Sequence, residues 1–164
     1  MSFIEQYKKI ISSFNNHKVQ YMIVGGFAVN FHGFSRSTLD MDIWVSTSEN
    51  NLKKLFDSLL SLGYEESNCS NAITNLRDNH MIKIPLEKTK VELLDSFMMK
   101  DEFDKCYKNH ERTKLGGDEI KIIGFDDLIR CKKKSNRMKD LLDVKNLEIL
   151  KKLRKDQQGE DQDI

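Results

Sequence analysis

The chain has 164 residues, 32% of them charged, with 27 Lys and Arg against 26 Asp and Glu. The formal net charge of +1 gives no global basic field of the kind that announces nucleic acid, so any polyanion must be met by a local patch. No apolar run approaches the ~20 residues that cross a bilayer, and the N-terminus "MSFIEQYKKIISSF" has scattered charges and no small-residue cleavage site, so it does not read as a signal peptide.

Phe3, Ile4, Tyr7, Ile10, Ile11 and Phe14 recur at helical spacing and predict a first amphipathic helix. "KVQYMIVGG" predicts a short strand ending at Gly25-Gly26, and "FAVNFHGF" a helix closed by Gly33. "STLDMDIWVS" predicts the second strand. In "TSENNLKKLFDSLLSLGY", Thr47 or Ser48 is the N-cap, Leu52, Leu55, Phe56, Leu59 and Leu60 form the apolar stripe, and Gly63 ends the helix. Residues 64–79 are polar, and the sequence does not assign them to helix or strand. "HMIKIPLEKTKVELLDSF" predicts two strands joined by a turn around Glu87 to Thr89, with the only proline, Pro85, ending the first. "KDEFDKCYKNH" predicts a short helix, and "ERTKLGGDEIKIIG" a hairpin about Gly116-Gly117. Residues 125–155 read as helical, with a break near Ser135-Asn136. The tail "DQQGEDQDI" is almost without apolar residues and is expected to be disordered. The order predicts an α/β (α+β) fold with a mixed sheet: a core over residues 1–123, a helical segment over 124–155 and a disordered tail over 156–164.

The three cysteines, Cys69, Cys106 and Cys131, have no zinc-like spacing and are odd in number, so free thiols in a reducing cytosol are expected. The four histidines show no ligand spacing; His32 is expected to be structural. Chemistry concentrates in "TLDMDIWV". Residues i and i+2 on a strand share a face, so Asp40 and Asp42 point one way while Met41, Ile43 and Val45 point to the core. Two such carboxylates repel each other unless a cation lies between them, and an oxygen-only set suits Mg²⁺ or Mn²⁺. The bland account is the wet face of an edge strand. Upstream, Gly25-Gly26 lets a phosphate approach backbone N–H groups, and Arg36 is placed to neutralise it. Trp44 has the parity of the two aspartates and is expected to pack under the later helices.

The whole stretch "VGGFAVNFHGFSRSTLDMDIWV" resembles the signature of the nucleotidyltransferase superfamily typified by DNA polymerase β. With Arg36-x-Thr38 just before the aspartates, it is similar to small bacterial minimal nucleotidyltransferases and to those of abortive-infection and toxin–antitoxin systems. The resemblance implies transfer of an NMP from an NTP to a hydroxyl or amine acceptor, with Asp40 and Asp42 as metal ligands and Gly25, Gly26, Arg36 and Thr38 at the nucleotide. It also implies a third carboxylate on a neighbouring strand. In "KVELLDSF", Glu92 has the parity of the aspartates because Val91 and Leu93 face the core; Asp95, on the core-side parity, is the second choice. Lys132, Arg137, Lys139, Asp140 and Asp143 match the family's C-terminal helical pattern, which would bring Lys132 and Arg137 to phosphates. Their bland reading is pairing on a helix surface. The acceptor stays open between tRNA, a protein hydroxyl and a small molecule, as does the NTP. A partner protein is the expectation for a toxin–antitoxin component. The alternative function is a non-catalytic nucleotide-sensing or protein-binding module on the same fold.

Overall fold

A computed structural model describes residues 1–99 and 101–160. The elements run α1 (Phe3–Asn16), β1 (Tyr21–Val24), α2 (Gly25–Phe31), β2 (Met41–Val45), α3 (Glu49–Ser61), α4 (Glu66–Asn79), β3 (Met81–Pro85), β4 (Lys90–Leu94), α5 (Phe103–Lys108), β5 (Glu111–Leu115), β6 (Asp118–Ile122), α6 (Phe125–Lys133) and α7 (Met138–Glu160). The strands form one sheet in the order β3-β4-β2-β1-β6-β5. Pairs β1/β2, β3/β4 and β5/β6 are antiparallel, whereas β2/β4 and β1/β6 are parallel, so the sheet is mixed as expected.

The two-residue period of the strands sorts the sheet into faces. Met41, Ile43, Val45, Val91 and Leu93 are all buried and join Ile11, Phe14 and Leu55 of α1 and α3 in the core. The first helix starts cleanly because Ser2 and Glu5 form a reciprocal capping box that satisfies two otherwise orphaned N–H groups. On the opposite face Trp44 is buried against Phe103 of α5, edge to face at 5.5 Å, and its Nε1–H donates to the Asp95 carbonyl at 3.0 Å. The C-terminal helices belong to the same core: Leu128, Cys131, Val144 and Leu147 are part of it.

Several elements differ from the sequence reading. Residues 66–79, polar and hard to read in sequence, form α4; Cys69 and Leu76 are buried and Ala72 and Ile73 are half-buried against the core, a short stripe masked by the polar residues around it. The chain leaves α4 through His80 at φ 65. Helix α7 runs to Glu160, past Lys155 where the disordered tail was expected to begin. Leu153, Lys155, Gln157 and Gln158 are good helix formers, and Arg154 ties the helix down by donating to the His32 carbonyl at 2.8 Å and lying 5.7 Å over the Phe125 ring. Residues 161–164 of that expected tail lie outside the described residues. The expected break near Ser135-Asn136 separates α6 from α7. Among the described residues no helix is long and apolar enough to cross a membrane.

Candidate active site

The site is assembled by strand register. Asp42 lies on a central strand, paired across to Val24 of β1 on one side and to Glu92 of β4 on the other. Val24 is the last residue of β1, so the Gly25-Gly26 turn meets the Asp42 side chain directly. Gly25 adopts φ +64, and a Cβ there would stand 2.2 Å from Asp42 Oδ2. Both the conformation and the close approach require glycine. A Cβ on Gly26 would stand 2.7 Å from Thr38 Oγ1 and 3.1 Å from Arg36 Nη2. Five residues named from sequence, Gly25, Gly26, Arg36, Thr38 and Asp42, thus share one small volume.

Asp42 and Glu92 face each other in register, and two carboxylates this close favour holding one proton between them unless a cation intervenes. Burial pushes the Asp42 carboxyl up to about 7, helped by the hydrogen bond with Glu92 and by the charges of Glu92 and Asp40, against the pull of Lys132. Burial also works to raise Glu92, but the Lys90 ammonium and the hydrogen bond with Asp42 outweigh it and hold Glu92 below the usual carboxylate value. Asp42 is therefore the member that keeps a proton. Such a pair, built from oxygen donors alone and sharing one proton, fits a hard divalent cation in the proton's place.

Asp40 immediately precedes β2, and its side chain is half exposed. Its Oδ1 accepts from Thr89 Oγ1 at 3.1 Å, and Lys90 Nζ lies 3.8 Å from its Oδ2. Tyr7 Oη and Thr89 Oγ1 both reach the Leu39 carbonyl, fixing the backbone just before Asp40. Among the described residues no three His, Cys, Asp or Glu side chains converge on a single point. Asp95, the second choice for third carboxylate, stands apart: β4 ends at Leu94, and Asp95 Oδ2 lies 2.7 Å from His80 Nδ1.

The C-terminal basic residues are placed differently from one another. Lys132 is buried, with Nζ 2.8 Å from Asp140 Oδ1 and 2.9 Å from Asp143 Oδ2. Asp143 Oδ1 lies 3.1 Å from Arg36 Nε, so α7 supports the arginine that borders Gly26. Arg137 is largely exposed and its Nε donates to Asp140 Oδ2 at 2.8 Å. Lys139 is exposed. His32 is buried, with Nε2 2.7 Å from the Ile123 carbonyl, which is a structural role. The three cysteines are free and buried.

Sequence reasoning missed Lys90, Thr89 and Tyr7. Lys90 had a readable signal, since it is two residues before Glu92 on the same strand and shares its face. Tyr7 had none, because its contact joins segments over thirty residues apart.

The network around Asp140 gives a pH-dependent expectation. Burial alone would raise its carboxyl, but hydrogen bonds from Lys132, Ser135 and Arg137 hold it at about 2, below the ordinary 3.8. A carboxyl depressed on folding stabilises the protein above the unfolded value and loses that stabilisation as pH falls through the folded one. Urea unfolding from about pH 5 to about pH 2 should therefore show a loss of roughly 2 kcal/mol in the wild type that Asp140→Asn lacks.

A search of curated proteins finds no match to this sequence. Among solved structures the chain is similar to the lincosamide antibiotic adenylyltransferase LnuA in its lincomycin-bound crystal structure, at 16% identity over 88% of this chain and 95% of that one, with a TM-score of 0.47. A family model described as "Nucleotidyl transferase of unknown function (DUF2204)" matches residues 3–161. With nearly its whole length matched, the chain belongs to that nucleotidyl transferase family.

Proposed function

We propose that the protein transfers an NMP from an NTP to a hydroxyl or amine acceptor in a metal-dependent reaction. The observation that carries this reading is the Asp42–Glu92 pair pressed against Gly25. It puts a cation-seeking carboxylate pair beside a stretch of backbone stripped of side chains, which is what a metal-bound triphosphate needs. Asp42 and Glu92, joined by Asp40, would hold Mg²⁺ or Mn²⁺, which would supply positive charge to offset that of the triphosphate as it reacts.

The chain's own groups supply the rest. Gly25 and Gly26 leave room for phosphate oxygens at the backbone, and Arg36, braced by Asp143, adds a fixed positive charge beside them. Thr38 offers a hydroxyl at the same turn. The low proton affinity of Glu92 suits orienting the acceptor rather than storing its proton. The acceptor oxygen or nitrogen attacks the α-phosphorus, the α–β anhydride bond breaks, pyrophosphate departs and the acceptor's proton goes to solvent. Lys132 acts on the site through its charge at Asp42 and through Asp143, and Arg137 remains free enough to meet the acceptor or the phosphates.

The acceptor is proposed to be tRNA, a protein hydroxyl or a small molecule, and a defence or toxin–antitoxin role with a partner protein is supported by the resemblance of the Gly-Gly to Asp-x-Asp stretch. Three free buried thiols fit a cytoplasmic setting. The test is incubation with each α-labelled NTP, Mg²⁺ and fractionated lysate. Label on an acceptor with release of pyrophosphate is the expected result. Mg²⁺-dependent NTP binding with no pyrophosphate released would instead make the protein a nucleotide-sensing module.

A further inference from the structure

Lys90 bridges two of the site's carboxylates, and the reading above uses it only for its effect on Glu92. Its Nζ lies 2.9 Å from Glu92 Oε1 and 3.8 Å from Asp40 Oδ2. We propose that Lys90 is a resident counter-cation, a positioning residue that competes with divalent metal for Glu92 and Asp40. The inference rests on the metal-dependent reading of the site.

The argument is one of charge and lone pairs. Asp42 and Glu92 are paired by register on adjacent strands, and Asp40 stands two residues before Asp42, where Lys90 reaches it and Glu92 alike. Of the basic groups nearby, Lys132 is held by Asp140 and Asp143, Arg36 by Asp143, and Lys83, opposite Glu92 on β3, acts on it by charge without an ion-pair contact to it. Lys90 is the cation that contacts both Glu92 and Asp40. An ammonium offers three donors and no acceptor, so it uses the same oxygen lone pairs that a metal needs. At a few ångströms its charge also repels a divalent ion strongly. The two cannot share the site, and metal entry requires the ammonium to leave.

The structure makes that departure easy. Lys90 is the first residue of β4, opposite Pro85, and its side chain is one-third exposed. A four-carbon stem can swing the ammonium away with no movement of the strand. A triphosphate provides negative charge for the displaced ammonium. Metal and nucleotide should therefore bind cooperatively, each raising the affinity for the other by the same factor. In the absence of nucleotide, Lys90 keeps the carboxylates neutralised and free metal weakly held.

The experiment is titration of metal-free protein with Mn²⁺, followed by electron paramagnetic resonance, with and without a non-hydrolysable NTP. Lys90→Met is expected to bind Mn²⁺ about tenfold more tightly than wild type when nucleotide is absent. Lys90→Arg should restore weak binding, and the gain in Mn²⁺ affinity on adding nucleotide should shrink in Lys90→Met. Thermal unfolding supplies a second readout: metal-free Lys90→Met should melt lower than wild type and gain more from Mn²⁺. Lys90→Gln serves if the methionine variant does not fold. Equal Mn²⁺ affinity in wild type and in Lys90→Met, with Glu92→Gln weakening both, overturns the role of Lys90 and leaves the metal site standing. Failure of every variant to bind Mn²⁺, with or without nucleotide, overturns the metal reading itself and this inference with it.

Discussion

Asp42→Asn is expected to lower NMP transfer by at least about a thousandfold and to leave the protein folded. Asp42 is the one carboxylate that touches every part of the site: Glu92 by register and hydrogen bond, Gly25 by direct approach, and Lys132 and Asp40 by charge. An amide in its place keeps the shape and a hydrogen bond to Glu92 but cannot carry the negative charge that a divalent cation needs. Stability should hold or rise, because a partly buried acid held against two like charges is replaced by a neutral group. Glu92→Gln should lose activity comparably, although it also leaves Lys90 without its closest partner. The check pairs transfer from an α-labelled NTP with thermal unfolding of the same samples. Full transfer by the Asp42→Asn/Glu92→Gln double variant would remove these carboxylates from the chemistry.

The parts of this site that could be read from sequence are those governed by the two-residue period of a strand. Alternation in "TLDMDIWV" and "KVELLDSF" places Asp42 and Glu92 on one face, and the observed register makes them neighbours. The same alternation separates Glu92 from Asp95, whose carboxylate is engaged by His80. Lys90 obeys the rule equally well, yet a lysine before an acidic residue reads as an ordinary surface pair until the third group, Asp40, is seen beside it. Helix α4 was illegible for a different reason: its stripe of Cys69, Ala72, Ile73 and Leu76 has only one large buried side chain, Leu76, and is set among polar residues. The burial of Lys132 depended on how α6 and α7 cross, which no local pattern encodes. The run Lys132-Lys133-Lys134 looks uniform in sequence, but Lys132 alone of the three is buried.

Lys132→Met is expected to destabilise the fold by about 3 kcal/mol, at the low end of the roughly 3–5 kcal/mol that follows from removing one partner of a buried ion pair. Methionine matches the length of the lysine stem and can fill its space, so packing loss is small. The cost comes from the two carboxylates left behind. Asp140 keeps Ser135 Oγ at 2.6 Å and Arg137 Nε at 2.8 Å, and Asp143 keeps Arg36 Nε at 3.1 Å. These remaining partners are why the low end applies. A domain of this size has only about 5–15 kcal/mol in total, so the change should be plain in urea unfolding. Adding Asp140→Asn and Asp143→Asn to Lys132→Met removes the stranded charges and should recover most of the stability. The triple variant then separates structure from function. With Asp143 neutral, Arg36 loses the carboxylate that braces it beside Gly26. NTP affinity should therefore stay weakened in a protein that again folds well. Wild-type stability in Lys132→Met alone would mean that the ammonium does not hold Asp140 and Asp143. Recovery of both stability and NTP affinity in the triple variant would mean that the network is structural support and does not set the nucleotide site.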